Sequence, residues 1–228
     1  MTTPKIILPH GGYKDLLAYQ KSEIIYQGTI VFCNRFFNAA KDRTVDQMVQ
    51  AARSCKQNIV EGSEASATSS ETELKLTNVA RASLGELLDD YHDYVTSHNL
   101  QLWAPTSQQI RELRTYARTA NTWEQWKDYF LTNNAETLCN TQVTLIHQTQ
   151  FLLARLLASQ EEAFQKNGGV RERMYAVRHE ACGNTWETAL YTYMQDAKST
   201  VELEKRVAQI QQNVIRTSQN IKKQKGWQ

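Results

Sequence analysis

Two groups of residues in this chain have types and spacings that could do chemistry. Arg173 and His179 stand with five residues between them. An arginine and a histidine so placed are the residue types that RNA cleavage uses, one to meet phosphate and one to move a proton. Any arginine-rich helix with one histidine matches that pattern by chance. The second group is Asp89, Asp90, His92 and Asp93. Asp89 with His92 or Asp93 is a pair three or four residues apart, so two ligands would face one way on a helix. Metal sites of carboxylate bundles need Glu-x-x-His from two helices plus further Glu. Only this one cluster exists, so a solvated helix face accounts for it better. His10, His98 and His147 stand alone. There is no glycine-rich phosphate loop, no G-x-S-x-G and no zinc-spaced Cys/His set, so nothing calls for a metal or another cofactor.

The elements that must position these residues are helices. Nine Gly and three Pro are few for 228 residues, and Pro4, Pro9 and Pro105 lie outside the periodic segments. No stretch alternates with period two. The chain is organised around residues 44–95. There Val45, Met48, Val49, Ala52, Cys55 and Ile59 recur at three- and four-residue steps, which puts them on one stripe of a helix. Gly62 and the Ser/Thr-rich run 63–70 interrupt the period. Ser70 with Glu73 reads as a capping box that starts the next helix. Leu76, Ala80, Leu84, Leu87, Tyr91 and Tyr94 then repeat the stripe.

Upstream, residues 1–12 read as an extended arm and 13–38 as a helix. Its inner face is Leu17, Ile24, Ile25, Gly28, Val31, Phe32 and Phe36, with Asp42 or Thr44 capping the next helix. Gly28 costs about 1 kcal/mol against Ala inside a helix, which close approach of another helix would explain. Downstream, Asn99 and Pro105 break the pattern. Residues 107–117 and 122–131 each suit a short helix. Trp103, Trp123, Trp126, Tyr129 and Phe130 concentrate there and favour a local core over a base-stacking platform. A long helix follows over 135–166. Leu138, Leu145 and Leu152 repeat along it beside Cys139, Ile146 and Leu153, and Asn167-Gly168-Gly169 stops it. Residues 170–180 suit a short helix. A final helix to about residue 223 carries heptads at Leu203, Val207, Ile210, Val214 and Ile221. The expected fold is all-α: an antiparallel up-down four-helix bundle over 1–167, with a helical insertion near 106–134, and a C-terminal helical extension over 168–228.

The run Asn58-Ile59-Val60-Glu61-Gly62, the Ser/Thr-rich turn, and then Ala80-Arg81-Ala82-Ser83-Leu84-Gly85-Glu86-Leu87 resemble the four-helix-bundle family encoded by intervening sequences of bacterial 23S rRNA genes. Tyr13-Lys14-Asp15-Leu16 and Tyr19-Gln20-Lys21 look like that family's entry into its first helix. Leu87-Leu88-Asp89-Asp90-Tyr91 and the extra length look like its subgroup with a C-terminal suffix domain. The resemblance covers roughly 13–160. It implies a ring-like homo-oligomer, often a pentamer, and no established catalytic activity. Asn58, Glu61, Gly62, Arg81 and Glu86 then carry a structural motif. An interhelical ion pair between Glu61 and Arg81 would set register, and Glu61→Ala would lower thermal stability. Small helical RNases are similar in their Arg/His spacing, but Met174 stands where they carry a polar residue.

Charge is segregated although the net is only +2. Residues 1–60 hold eight Lys or Arg against four Asp or Glu, whereas 61–98 hold two against eight, and 168–228 hold ten against six. Such a pattern orients subunits or leaves a local basic surface for phosphate. The nucleic-acid candidates are Arg53, Lys56, Lys222, Lys223 and Lys225. Cys33, Cys55, Cys139 and Cys182 are too far apart for a zinc knuckle and read as buried reduced thiols. No apolar run nears the ~20 residues of a membrane span, and the N-terminus lacks a signal peptide's apolar core. The expectation is a cytoplasmic, non-enzymatic homo-oligomeric scaffold that binds RNA or a nucleic-acid-processing protein. The alternatives are a purely structural protein-interaction module and an RNase using Arg173 and His179.

Overall fold

The periodic stripes fold as helices. The computed structural model describes residues 11–38, 42–182 and 205–212, with side chains placed except at 179–182. Among these residues a short 3-10 turn, Tyr13–Asp15, precedes α1 (Leu17–Phe36), α2 (Thr44–Ala65), α3 (Ser70–Ser97), α4 (Gln108–Thr119), α5 (Trp123–Thr132), α6 (Ala135–Asn167) and α7 (Val170–Cys182). Residues 205–212 are also helical. The chain divides into two units, Met1–Met174 and Tyr175–Gln228, and the packing below belongs to the first. There α1 lies against α2, α5 and α6, α2 against α3, and both α3 and α4 against α6. Among the described residues no helix is long and apolar enough to cross a membrane.

Local chemistry moves three helix starts from their expected places. The first helix does not run unbroken from residue 13, because Leu16 is extended (ψ 121°) between the 3-10 turn and α1. Leu16 packs on the core, so its burial fixes the break. At α2 the Thr44 amide donates to Asp42 Oδ1 at 2.9 Å, although the residue at the cap position is Arg43. At α3 the cap is Ser69, not Ser70: the Thr72 amide donates to Ser69 Oγ at 3.1 Å. In a run of serines and threonines the cap slips easily by one. Glu73, freed from a capping box, accepts from Gln160 Nε2 of α6 instead. Both short helices of the insertion form. Gln125 Oε1 accepts from the Thr122 amide at the start of α5. The glycine stop also forms, with Gly168 at φ 63°, a left-handed conformation that glycine adopts without strain.

The expected inner faces are largely buried, with one informative exception. Met48, Ala52, Cys55, Ala80, Leu84, Leu87, Tyr91, Leu138, Cys139, Leu145, Ile146 and Leu153 reach at most 1% exposure. Cys33 is buried with them, and Cys33, Cys55 and Cys139 are free thiols: burial pushes Cys33 and Cys139 up to about 12 and Cys55 well above its ordinary range, so they stay protonated. Leu17, expected inside, is 48% exposed; Ala18 and Lys21 take the inner positions. The aromatic residues of the insertion form core rather than a platform, since Trp126 and Phe130 are fully buried and α5 packs on α1.

Lys21 is 1% exposed and forms no ion pair among the described residues. Its Nζ donates to the carbonyl of Ala117 and, at 2.7 Å, to that of Ala120. These belong to the last turn of α4 and its cap, where free carbonyls and the negative end of the helix dipole favour a cation. Trp126 Nε1 donates to the same Ala120 carbonyl at 3.0 Å, so α1 and α5 together hold the end of α4. Burial pushes the Lys21 ammonium down to about 8.

Gly28 sits where three helices converge. A Cβ there would come within 2.5 Å of Gln142 Nε2 and 2.6 Å of the Phe130 ring. Next to it Gln142 Nε2 donates to the Ile25 carbonyl at 3.1 Å, and the Tyr91 hydroxyl donates to Thr29 Oγ1 at 3.1 Å. Close approach of another helix, the reason expected for this glycine, is therefore what occupies its missing side chain.

Two predictions follow from this packing. Gly28→Ala should destabilise the protein, because overpacking of about 1–3 kcal/mol outweighs the helix propensity gained; a rise in melting temperature would refute the close contact. Lys21→Met should cost about 1–3 kcal/mol in urea unfolding by stranding buried carbonyls. From pH 8 toward 10.5 the unfolded chain still holds the proton that the folded chain releases, so wild-type stability gains on the variant as pH rises through that window. A gap that narrows instead would show that Lys21 is not held below its ordinary range.

Candidate functional site

A cleft of about 760 Å³ opens between α3, the connection from α3 to α4, α4, and α6. Each wall follows from local sequence. On α4, Ile110, Leu113 and Ala117 face the core, which leaves Arg114 and Arg118, four residues apart, at the cleft. On α6, Thr144, Gln148 and Leu152 share a stripe beside Val143, His147 and Phe151, all of them lining residues. His92 reaches the cleft from α3. The connection is fixed by buried Asn140: its Oδ1 accepts from the Trp103 amide at 2.8 Å and its Nδ2 donates to the Gln101 carbonyl at 2.8 Å. Arg111 Nη1 donates to the Thr106 carbonyl at 2.5 Å and ties the connection to α4.

The cleft is cationic. Arg114 and Arg118 join two histidines, and no Asp or Glu is among the described residues that line it. Burial first, and then the charges of His92 and Arg114, hold the His147 imidazole below its usual range, against a hydrogen bond with Gln150 that acts the other way. Arg114 Nη1 makes one long contact, 3.4 Å, to the Pro105 carbonyl. Leu102 and Phe151 are 44% and 62% exposed at this site, unusual for large apolar side chains. Gln148 Oε1 is buried and has no hydrogen-bond partner among the described residues. The arrangement can hold an anion beside an apolar body; its only lining hydroxyl among the described residues, Thr144 Oγ1, donates to the Asn140 carbonyl.

Among the described residues, the acidic cluster singled out in the sequence is divided between two sites. His92 lines the cationic cleft, while Asp90 lines a separate groove between α2 and α3 with Asp46 and Glu86. Burial, then repulsion from Asp93, Glu86 and Asp89, raises the Asp90 carboxyl above its usual range. Among the described residues no three or more His, Cys, Asp or Glu side chains are grouped to hold a metal ion. His98 stacks on Tyr94, ring centres 3.9 Å apart, at the end of α3. Lys56 Nζ lies 4.5 Å over the Tyr26 ring, and Arg53 is exposed on the same helix. His10, the His179 side chain, Cys182's side chain, and Lys222, Lys223 and Lys225 lie outside the described residues. So does most of the C-terminal heptad pattern, of which Val207 and Ile210 are exposed within 205–212.

The motif residues join α2 to α3, but not by an ion pair. Asn58 Nδ2 donates to the Ser54 carbonyl at 2.8 Å, and Ser54 Oγ lies 2.9 Å from Ser83 Oγ of α3. Gly62 is buried against Leu76. Glu61 and Arg81 are both exposed and do not pair; Arg81 Nη2 donates to Asn78 Oδ1 at 3.0 Å in its own helix. The ion pairs among the described residues are Lys75–Glu71 and Lys166–Glu162, both exposed and within one helix. The expected register device is thus a serine pair, because the carboxylate and guanidinium remain in water, where a salt bridge contributes little.

Arg114, Arg118, His147 and Gln148 carried no signal of their own in the sequence. The regular spacing of the two arginines on one short helix was the only mark, and a solvated face produces the same spacing. Comparison with protein-family models, with curated proteins and with solved structures finds no match. Because exposed, unpaired Glu61 holds nothing in place, Glu61→Ala should shift stability by less than about 0.5 kcal/mol; a clear drop in a melting curve would restore the pair with Arg81.

Proposed function

We propose that this chain is a non-enzymatic helical scaffold that assembles with copies of itself in the cytoplasm and binds single-stranded RNA. Residues 1–167 form an antiparallel four-helix bundle and 168–228 a C-terminal helical extension. The mutual contacts α1–α2, α2–α3, α3–α6 and α6–α1 support the bundle, with α4 and α5 as its insertion. The short turn 66–69 between α2 and α3 favours antiparallel neighbours. The resemblance to the family encoded by intervening sequences of bacterial 23S rRNA genes supports self-assembly into a ring.

One observation carries the RNA reading. The largely apolar cleft gathers Arg114, Arg118, His92 and His147 with no carboxylate among its described lining residues. Guanidinium groups suit phosphate through their planar fork of donors. Exposed aromatic surface beside cations is the pairing by which proteins bind single strands without reading a duplex. The hydroxyl in the cleft is engaged by the backbone, which favours a binding role over nucleophilic chemistry.

Solution mass by light scattering, with and without a single-stranded oligoribonucleotide, tests this. The expected result is a ring-sized oligomer that gains mass with RNA at low salt. Affinity should fall as salt rises, with a log–log slope of about −0.7 for each phosphate neutralised. A monomer that ignores RNA at low salt would overturn both parts of the reading.

A further inference from the structure

We propose that His147 is the proton-dependent phosphate ligand of the cleft between α3, α4 and α6. It takes up a proton as an RNA phosphate settles beside Arg114 and Arg118, so binding tightens as pH falls. The inference rests on the RNA reading for the source of the phosphate. It goes beyond that reading in naming a ligand side chain and what controls it.

Placement carries the inference. His147 is an exposed residue that lines the cleft from α6, and the charged or titratable groups that line it from the other elements are His92 of α3 and Arg114 and Arg118 of α4. The stretch 102–105 of the connection adds no titratable group. Asp89 and Asp93 share α3 with His92 but do not line the cleft, and Asp90 lines the groove against α2. The groups around His147 therefore oppose a second positive charge there. His92 and Arg114 act in the same direction as burial, which holds the imidazole below its usual range despite the hydrogen bond with Gln150. A phosphate at the two arginines reverses that balance. An opposite charge within about 4–6 Å favours the charged form and raises a histidine's pKa by about 1–3. Once protonated, the ring offers an N–H donor from either nitrogen. The arginines and a phosphodiester keep their charge at neutral and mildly acidic pH. Among the described lining residues, only histidines can then make binding depend on pH between about 5 and 8. Because the pKa is higher in the complex than in the free protein, the gain is complete below the free protein's value. It is lost as pH rises through the value in the complex.

The test uses the full chain and an oligouridylate, whose bases and phosphodiesters do not titrate in that window. Affinity is followed by fluorescence polarisation at constant ionic strength. It should rise by about tenfold from the alkaline to the acidic end, the gain for a pKa raised by one. His147→Gln should lose most of that rise. His98→Gln, which alters a histidine stacked on Tyr94 and not lining the cleft, should keep it. If His147→Gln fails to fold, as circular dichroism would show, the wild-type ring still reports. Its NMR titration midpoint should move up when sulfate, a dianion that does not titrate in this window, replaces chloride at fixed ionic strength. Oligouridylate that binds equally well across the window overturns the proposal and leaves the RNA reading standing, since the arginines alone would then hold the phosphate. An equal rise in wild type and His147→Gln also overturns it. A midpoint raised by sulfate without any binding of oligouridylate supports His147 as a proton-linked anion ligand and overturns the RNA reading. Neither response overturns both.

Discussion

The absence of one side chain sets the distance at which the helices of this protein meet. Gly28 lets the Phe130 ring and the Gln142 amide come onto the backbone of α1, at separations that a Cβ would forbid. Two consequences depend on that approach. Gln142 reaches the Ile25 carbonyl, and Phe130 closes the core from the insertion. A glycine inside a helix weakens it locally, and here the loss is offset by burial of large side chains from two partners. The Gln142 Nε2 and Tyr91 hydroxyl donors find acceptors on α1, so these bonds specify which helices may meet as well as how closely.

The cleft inherits its shape from two buried polar anchors that lie outside it or on its floor. Lys21 holds the last carbonyls of α4 from the side of α1, while Asn140 holds the connection that leads into α4. With both ends tied, the short α4 presents Arg114 and Arg118 from a fixed frame. A helix of that length has little stability of its own, so tertiary anchoring decides whether its arginines are positioned at all.

The segregated charge of the chain resolves into two faces of α3. Asp90 and Glu86 look toward α2 and an acidic groove, whereas His92 looks toward α6 and the cationic cleft. Residues two apart in sequence point about 200° apart on a helix, so a cluster that is dense in sequence is divided in space. The His147 imidazole, depressed by burial and by the cations beside it, marks the cationic side as the one where an added anion would be welcome.

Among the described residues the sequence by itself determined the helical class, the approximate extent of the helices α1–α7, most of the core stripe and the reason for Gly28. Periodicity reports which face of a helix is apolar, and glycine, proline and serine runs report where it stops. It misplaced the cap at Ser69 by one residue and started the first helix too early, since equivalent hydroxyls and a single leucine's burial lie below what pattern can resolve. It took Glu61 and Arg81 for partners because both sit in one motif, although each ends in water. It left His147, Arg114, Arg118 and Gln148 without a role. Only the tertiary structure decided these, because a site built from three helices and a connection exists as a distance between residues far apart in the chain. Lys21 shows the same limit from inside the core: a lysine reads as surface until a helix end with unpaired carbonyls is placed against it.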